Sequence, residues 1–168
     1  MFEDFARYRA VLVTGPQRSG TTIAAKMIAA DAGLRYVDES EWGVQDRAAW
    51  RRWVQDTRGA VMQCPSMSRY VHEFGHWDNV AVVWMRRSLK EIAASEKRVG
   101  WGGSDRAYEL ARYGVKEGNI AKLKYRYWRE VQREKIVNAY EVKYASLEGH
   151  PLWVDAADRV GFEVKQTA

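Results

Sequence analysis

Residues 10–22 read Ala10-Val11-Leu12-Val13-Thr14-Gly15-Pro16-Gln17-Arg18-Ser19-Gly20-Thr21-Thr22. The first five form a compact apolar run closed by a glycine, which reads as a buried strand. The last two open Thr21–Ala32, where Ile23, Met27 and Ala30 recur at helical spacing. A glycine-bearing turn between a strand and a helix is the setting in which such a loop binds phosphate. Glycine lets the backbone turn tightly and approach a ligand. Successive backbone N–H groups then form an anion nest, and the helix N-terminus adds unpaired donors and a dipole. Arg18 puts a cation inside the loop, and Thr21 and Thr22 put hydroxyls at the first turn. Gly15, Arg18, Ser19, Gly20, Thr21 and Thr22 are therefore the first candidate binding residues.

The rest of the chain repeats the alternation. Arg35–Val37 and Ala60–Gln63 read as short strands and 79–85 as the clearest buried one. Residues 137–144 hold a fifth strand. Helices are expected over 46–55 with Asp46 as N-cap, over 66–74, and over 88–98, where Ser88-Leu89-Lys90-Glu91 is a capping box. Another helical stretch opens at Ser104, a long amphipathic helix spans 119–136, and a last one is expected over 151–160 with Pro151 in its first turn. On the long helix, Ile120, Leu123, Tyr127 and Val131 form the apolar stripe, while Lys122, Lys124, Arg126, Arg129 and Arg133 occupy the other faces. Strands alternating with helices imply an α/β fold with a mostly parallel sheet of about five strands. In such sheets ligands bind beyond the carboxyl ends of the strands.

Composition agrees with one globular domain over residues 1–168. The 27 Lys+Arg against 22 Asp+Glu leave a formal charge of +5, which suits anionic ligands and equally serves solubility. A single cysteine, Cys64, excludes an internal disulfide framework and a zinc ribbon. It points to a reducing, cytoplasmic setting. No run approaches the roughly 20 apolar residues of a membrane helix, and the acidic start Met1-Phe2-Glu3-Asp4 does not resemble a secretory signal.

The loop is not a Walker A motif, because Thr21 stands where that pattern has lysine. Strand 79–85 runs into Trp84-Met85-Arg86-Arg87 and offers no carboxylate for Mg²⁺. Both departures weigh against ATP or GTP hydrolysis and favour a phosphate-bearing ligand that needs no metal. A second constellation follows that strand: Arg87, with Ser95 eight residues later, slightly over two helical turns on. An arginine fork beside a hydroxyl suits a phosphate monoester, although each residue alone also fits an ordinary surface or packing role.

Together the motifs resemble the sulfotransferases that use 3′-phosphoadenosine 5′-phosphosulfate (PAPS). Pro16-Gln17-Arg18-Ser19-Gly20-Thr21-Thr22 is similar to that family's first signature, with one residue inserted between Pro and the base. Arg87 and Ser95 match its second. Lys143-Tyr144-Ala145-Ser146-Leu147-Glu148 is similar to its Tyr-Glu-Asp-Leu segment, and Gln63-Cys64-Pro65-Ser66 sits where bacterial members have a Lys-Ser-Pro-like turn. The resemblance runs from about Val11 to Phe162. It implies a three-layer P-loop fold and PAPS, or its product 3′-phosphoadenosine 5′-phosphate (PAP), as co-substrate. It further implies that residues 18–22 hold the 5′-phosphosulfate, that Arg18 neutralises the leaving oxygen, that Arg87 and Ser95 bind the 3′-phosphate, and that Tyr144 lies near the nucleotide. Ile23 replaces the adenine-stacking Trp of many cytosolic members, and Ala145-Ser146 replaces Glu-Asp.

Sulfuryl transfer to a hydroxyl or amine needs a base, a His or Glu in this family. In Asp38-Glu39-Ser40-Glu41-Trp42, Glu41 is the first candidate and Glu39 the second. His72 and His76 are spaced i, i+4 without a third ligand, so no metal site is expected. Trp42, Trp50, Trp53 and Trp101 could line an acceptor cleft or simply pack. The expected acceptor is a small molecule or saccharide. A P-loop nucleotide or small-molecule kinase, and a non-catalytic nucleotide-binding module of the same fold, are the alternatives. Nucleic acid is a weaker candidate that rests on charge alone, and the oligomeric state is left open.

Overall fold

The computed structural model describes residues 1–41, 46–101 and 104–154. Five strands, β1 (Ala10–Thr14), β2 (Arg35–Val37), β3 (Ala60–Gln63), β4 (Val80–Arg86) and β5 (Ala139–Lys143), form one sheet in the order β2-β3-β1-β4-β5. Every neighbouring pair is parallel. The crossovers carry α1 (Thr21–Ala32), α2 (Arg47–Asp56), α3 (Val71–Phe74), α4 (Leu89–Arg98), α5 (Ser104–Arg112) and α6 (Ile120–Glu134). Among the described residues, no helix is long and apolar enough to cross a membrane.

Side chains alternate across a strand, and both faces of this sheet are covered. Leu12, Met62, Val82 and Trp84 point to one face and meet Trp50 of α2, Phe74 of α3 and Trp128 and Val131 of α6. The Trp84 and Trp128 rings stack with centroids 5.3 Å apart and planes 6° from parallel. Val11, Val13, Val61, Val83 and Met85 point to the other face and meet Ala24, Met27 and Ile28 of α1, together with Phe5 of the 3-10 segment Glu3–Arg7 and Phe2 just before it. Burial on both faces explains the near-continuous apolar runs of β1, β3 and β4. The layering is therefore helix, sheet, helix.

Caps set several helix starts where the sequence puts them. Asp46 accepts from the Ala49 amide at 2.7 Å. Ser88 and Glu91 make the reciprocal capping box, and Asn119 accepts from the Lys122 amide at 3.0 Å.

Three expectations change. The segment 66–74 is a 3-10 stretch, Pro65–Tyr70, followed by the single α-turn of α3. Within it Ser68 Oγ bonds the carbonyl of Pro65 at 2.7 Å and that of Gly15 at 3.1 Å, local side-chain bonding that competes with regular helix. The long helix ends at Glu134, with Lys135 left-handed at φ 52°, and its buried stripe is Ile120, Ala121, Lys124, Trp128 and Val131: Ile120 and Val131 stand as expected, whereas Leu123 and Tyr127 are only half-buried. Finally, residues 151–154 form a turn and irregular chain, not the start of a helix, and 155–160 lie outside the described residues.

Candidate functional site

β1 is paired with β3 on one side and β4 on the other, so the connections leaving neighbouring strands diverge at its carboxyl end. This is a topological switch point, where open α/β sheets hold ligands. The loop 15–20 leaves β1 there, Arg87 follows β4 beside it, and Tyr144 follows β5.

The loop has the backbone that its sequence demands. Gly15 (φ +143°) and Gly20 (φ +96°) lie where side chains are strained, and Arg18 is left-handed at φ 64°. A Cβ on Gly15 would stand 2.9 Å from the Met85 carbonyl oxygen. The Ser19 amide and hydroxyl both donate to the Pro16 carbonyl, at 3.1 and 2.6 Å, closing the turn. Gly20 is the N-cap of α1, and as a glycine it brings no side-chain cap to that helix. Thr21 is buried and accepts from Gln63 Nε2 at 3.1 Å, whereas Thr22 is half-buried. Thr14 Oγ1 donates to the Cys64 carbonyl at 2.9 Å and lies 3.0 Å from Ser68 Oγ, tying the loop's base to the turn after β3.

Four sequence candidates converge on this loop. Arg18 Nε donates to Ser95 Oγ at 3.1 Å. Arg87 Nη1 donates to the Arg18 carbonyl at 3.0 Å. Arg87 Cζ lies 3.8 Å from the Tyr144 ring centroid, a cation–π contact, and its Nε is 3.8 Å from Glu91 Oε1. Tyr144 packs so tightly on the loop that a Cβ on Gly20 would meet its Cδ2 at 2.5 Å. Trp153 meets the Tyr144 ring edge-on at 5.3 Å and adds a second aromatic side chain to this end of the site.

The two candidate bases lie in different surroundings. Glu41 is exposed; it accepts from the Asp38 amide at 3.1 Å and lies 3.6 Å from Arg35 Nη1. Glu39 is half-buried in the same short turn after β2, and its pKa is raised to about 7. Burial pushes it up, the Lys124 ammonium partly offsets that, and the Asp38 and Glu109 carboxylates push it further.

Lys124 is a site residue that the stripe assignment missed. It is fully buried, and its Nζ donates to Gln17 Oε1 at 2.6 Å and to the Pro65 carbonyl at 2.9 Å, with Glu109 Oε1 at 2.7 Å. Burial lowers its pKa and Glu109 opposes the fall. Glu109 is itself held below the ordinary carboxylate range, because Lys124 outweighs the upward push of burial. A sequence signal existed: Lys124 stands four residues after Ile120 and four before Trp128, both buried.

No protein-family model matches this chain, and no curated protein matches it. The assignment of its chemistry therefore rests on the residues themselves.

The other candidates sort plainly. Trp42 lies outside the described residues; Trp50 is buried against Tyr70, and Trp53 packs on the same core. Trp101 is half-buried beside α4 and α5, near Arg106. His76 Nε2 is 3.1 Å from Glu134 Oε2 on the surface. His72 faces an open cavity of about 610 Å³, whose walls also include Arg47, Arg69 and Arg112.

Proposed function

We propose that the chain is a sulfotransferase that moves a sulfuryl group from PAPS to a hydroxyl or amine of a small-molecule or saccharide acceptor. The observation that carries this reading is the convergence of Arg18, Ser95, Arg87 and Tyr144 on one strand-to-helix loop at the switch point. The residues fit a nucleotide carrying phosphate at both ends. A helix N-terminus whose N-cap is glycine and a loop with left-handed Arg18 supply N–H donors for a 5′-phosphosulfate. Arg18 joins that loop to Ser95, and Arg87 lies between the loop carbonyl and Tyr144, so the Arg87 guanidinium and the Ser95 hydroxyl stand beside the loop as the pair that would define the 3′-phosphate end. Tyr144 and Trp153 offer aromatic surface beside the loop, where Ile23 offers none.

The chain's own residues divide the chemistry as follows. Glu39, with its pKa near 7, accepts the acceptor's proton as the acceptor oxygen or nitrogen bonds to sulfur. Arg18 and the α1 amides stabilise the charge that collects on the bridging oxygen as the sulfur–oxygen bond to the 5′-phosphate breaks. The products are the sulfated acceptor and PAP, and the proton passes from Glu39 to solvent. Positioning and electrostatics do the work, as in phosphoryl transfer. Glu39 is preferred to Glu41 as base because Glu41 is exposed and turned to Arg35. A reducing, cytoplasmic setting suits Cys64, which is buried, unpaired in any disulfide, and has its thiol pKa pushed up by burial.

The test is PAP release from PAPS across an acceptor panel, with and without Mg²⁺, beside ATP consumption. Acceptor-dependent PAP release that disappears in Arg18→Ala is the expected result. Mg²⁺-dependent ATP consumption would replace this reading with a kinase, and PAP binding without turnover on any acceptor would replace it with a binding module.

A further inference from the structure

We infer that the open cavity between α2, the 3-10 segment Pro65–Tyr70 and the end of α5 binds an anionic saccharide, a sugar unit carrying a carboxylate or sulfate. The role of that saccharide as acceptor rests on the sulfuryl-transfer reading; the binding itself does not.

The cavity is about 610 Å³, within the range of small-molecule sites. Its walls carry three guanidiniums, Arg47, Arg69 and Arg112, and three tyrosine rings, Tyr70, Tyr113 and Tyr127. Glu73 is the one carboxylate among its described lining residues. Glu73 is engaged by Arg47 at 2.8 Å and by Arg51, and Arg112 acts on the Glu39 and Glu109 carboxylates behind the wall, so the positive balance is the count of three guanidiniums against one carboxylate among the described lining residues. Arg69 donates to the Arg112 carbonyl and lies over the Tyr70 ring at 4.7 Å; neither partner carries a negative charge. Arginine forks pair with planar carboxylates and with sulfate oxygens. Tyrosine faces pack on the C–H face of a sugar, and tyrosine hydroxyls bond its hydroxyls. Cation and aromatic together fit an acidic disaccharide better than a neutral one.

The cavity adjoins the loop through two side chains. Tyr113 forms part of its wall, and the Tyr113 ring centroid is 5.9 Å from Lys124 Nζ. Lys124 in turn donates to Gln17 of the loop. Arg112, in the same wall, is among the charges that act on Glu39.

The test uses the full chain and calorimetric titration with a uronic-acid disaccharide, with its neutral glucose counterpart, and separately with PAP. The uronate disaccharide is expected to bind at least tenfold more tightly than the neutral one. Arg69→Gln and Arg47→Gln are each expected to weaken the uronate disaccharide tenfold or more while leaving PAP affinity and the melting temperature in place. Equal affinity for the two disaccharides overturns the inference, and so does undiminished uronate binding in both variants. Failure of PAP to bind sinks the sulfotransferase reading and leaves the disaccharide result to stand or fall alone.

Discussion

Arg18 Nε donates to Ser95 Oγ at 3.1 Å, joining the loop after β1 to the helix after β4 across 77 positions of sequence. The bond fixes an arginine that lies in a left-handed backbone conformation at the head of α1. Arg18 is half-buried and is no part of either apolar core. Arg18→Ala should therefore leave the melting temperature nearly unchanged. Loss of one preorganised donor to a developing charge costs about 10²–10³ in turnover, and that is the fall expected in the rate of PAP release. A rate within a few-fold of wild type would remove Arg18 from the mechanism.

The two loop glycines should fail differently. In Gly20→Ala the new methyl meets the Tyr144 ring at 2.5 Å, a flexible side chain. In Gly15→Ala it meets the Met85 carbonyl at 2.9 Å, which is backbone inside the sheet. Backbone strain of this kind costs about 1–3 kcal/mol at each position. Adding Tyr144→Ala should recover part of the Gly20→Ala loss in denaturant unfolding and none of the Gly15→Ala loss. Equal recovery in both backgrounds would mean that the Tyr144 contact is not what constrains Gly20.

Glu39 makes the pH profile diagnostic. Its pKa in the folded chain is raised to about 7 from an ordinary value of 4.5. The ionised form is the base, so turnover should rise with pH through about 7 and level off above it. Stability runs the other way. A raised carboxylate favours folding below the unfolded pKa, and that contribution is lost as pH rises through the folded one. Glu39→Gln should remove the rising limb together with most of the turnover, and should gain stability over wild type at pH 8. Glu41→Gln should keep both the limb and the rate. The opposite pattern would restore Glu41 as the base.

Lys124 and Glu109 form a buried pair, 2.7 Å apart and nearly sealed from solvent. Removing one partner leaves an uncompensated charge, which costs about 3–5 kcal/mol. Lys124→Met should lose stability on that scale in denaturant unfolding and should weaken PAP binding, because Gln17 and Pro65 lose their shared donor. Lys124→Met combined with Glu109→Leu should recover much of the stability, since the stranded carboxylate is gone. Strictly additive losses would show that the two groups are not coupled.

Much of this architecture was legible because its signals are local. The apolar run of β1, the glycines of the loop and the Ser88–Glu91 capping box each declare themselves within a few residues, and each stands where it was read. Arg87 and Ser95 were legible as a pair by helical spacing, but their roles within the site were not. The structure joins Ser95 to Arg18, and Arg87 to the loop backbone and Tyr144, contacts that only the strand order creates. Lys124 was hidden for a related reason. A lysine on an amphipathic helix reads as a solvated face, and its burial depends on Glu109, which belongs to a different helix. The 3-10 course of Pro65–Tyr70 was likewise unreadable, because Ser68 Oγ reaches the Gly15 carbonyl, far away in sequence, as well as the local Pro65 carbonyl.

The most direct test of the central claim is calorimetric titration of the full chain with PAP, with adenosine 5′-monophosphate, which lacks the 3′-phosphate, and with ATP plus Mg²⁺. A 3′-phosphonucleotide site in which Ser95 and Arg87 hold the 3′-phosphate predicts that PAP binds at least tenfold more tightly than the monophosphate, with no need for Mg²⁺, and that Arg87→Ala removes that preference. Equal affinity for PAP and the monophosphate, or tighter binding of Mg·ATP, would contradict it.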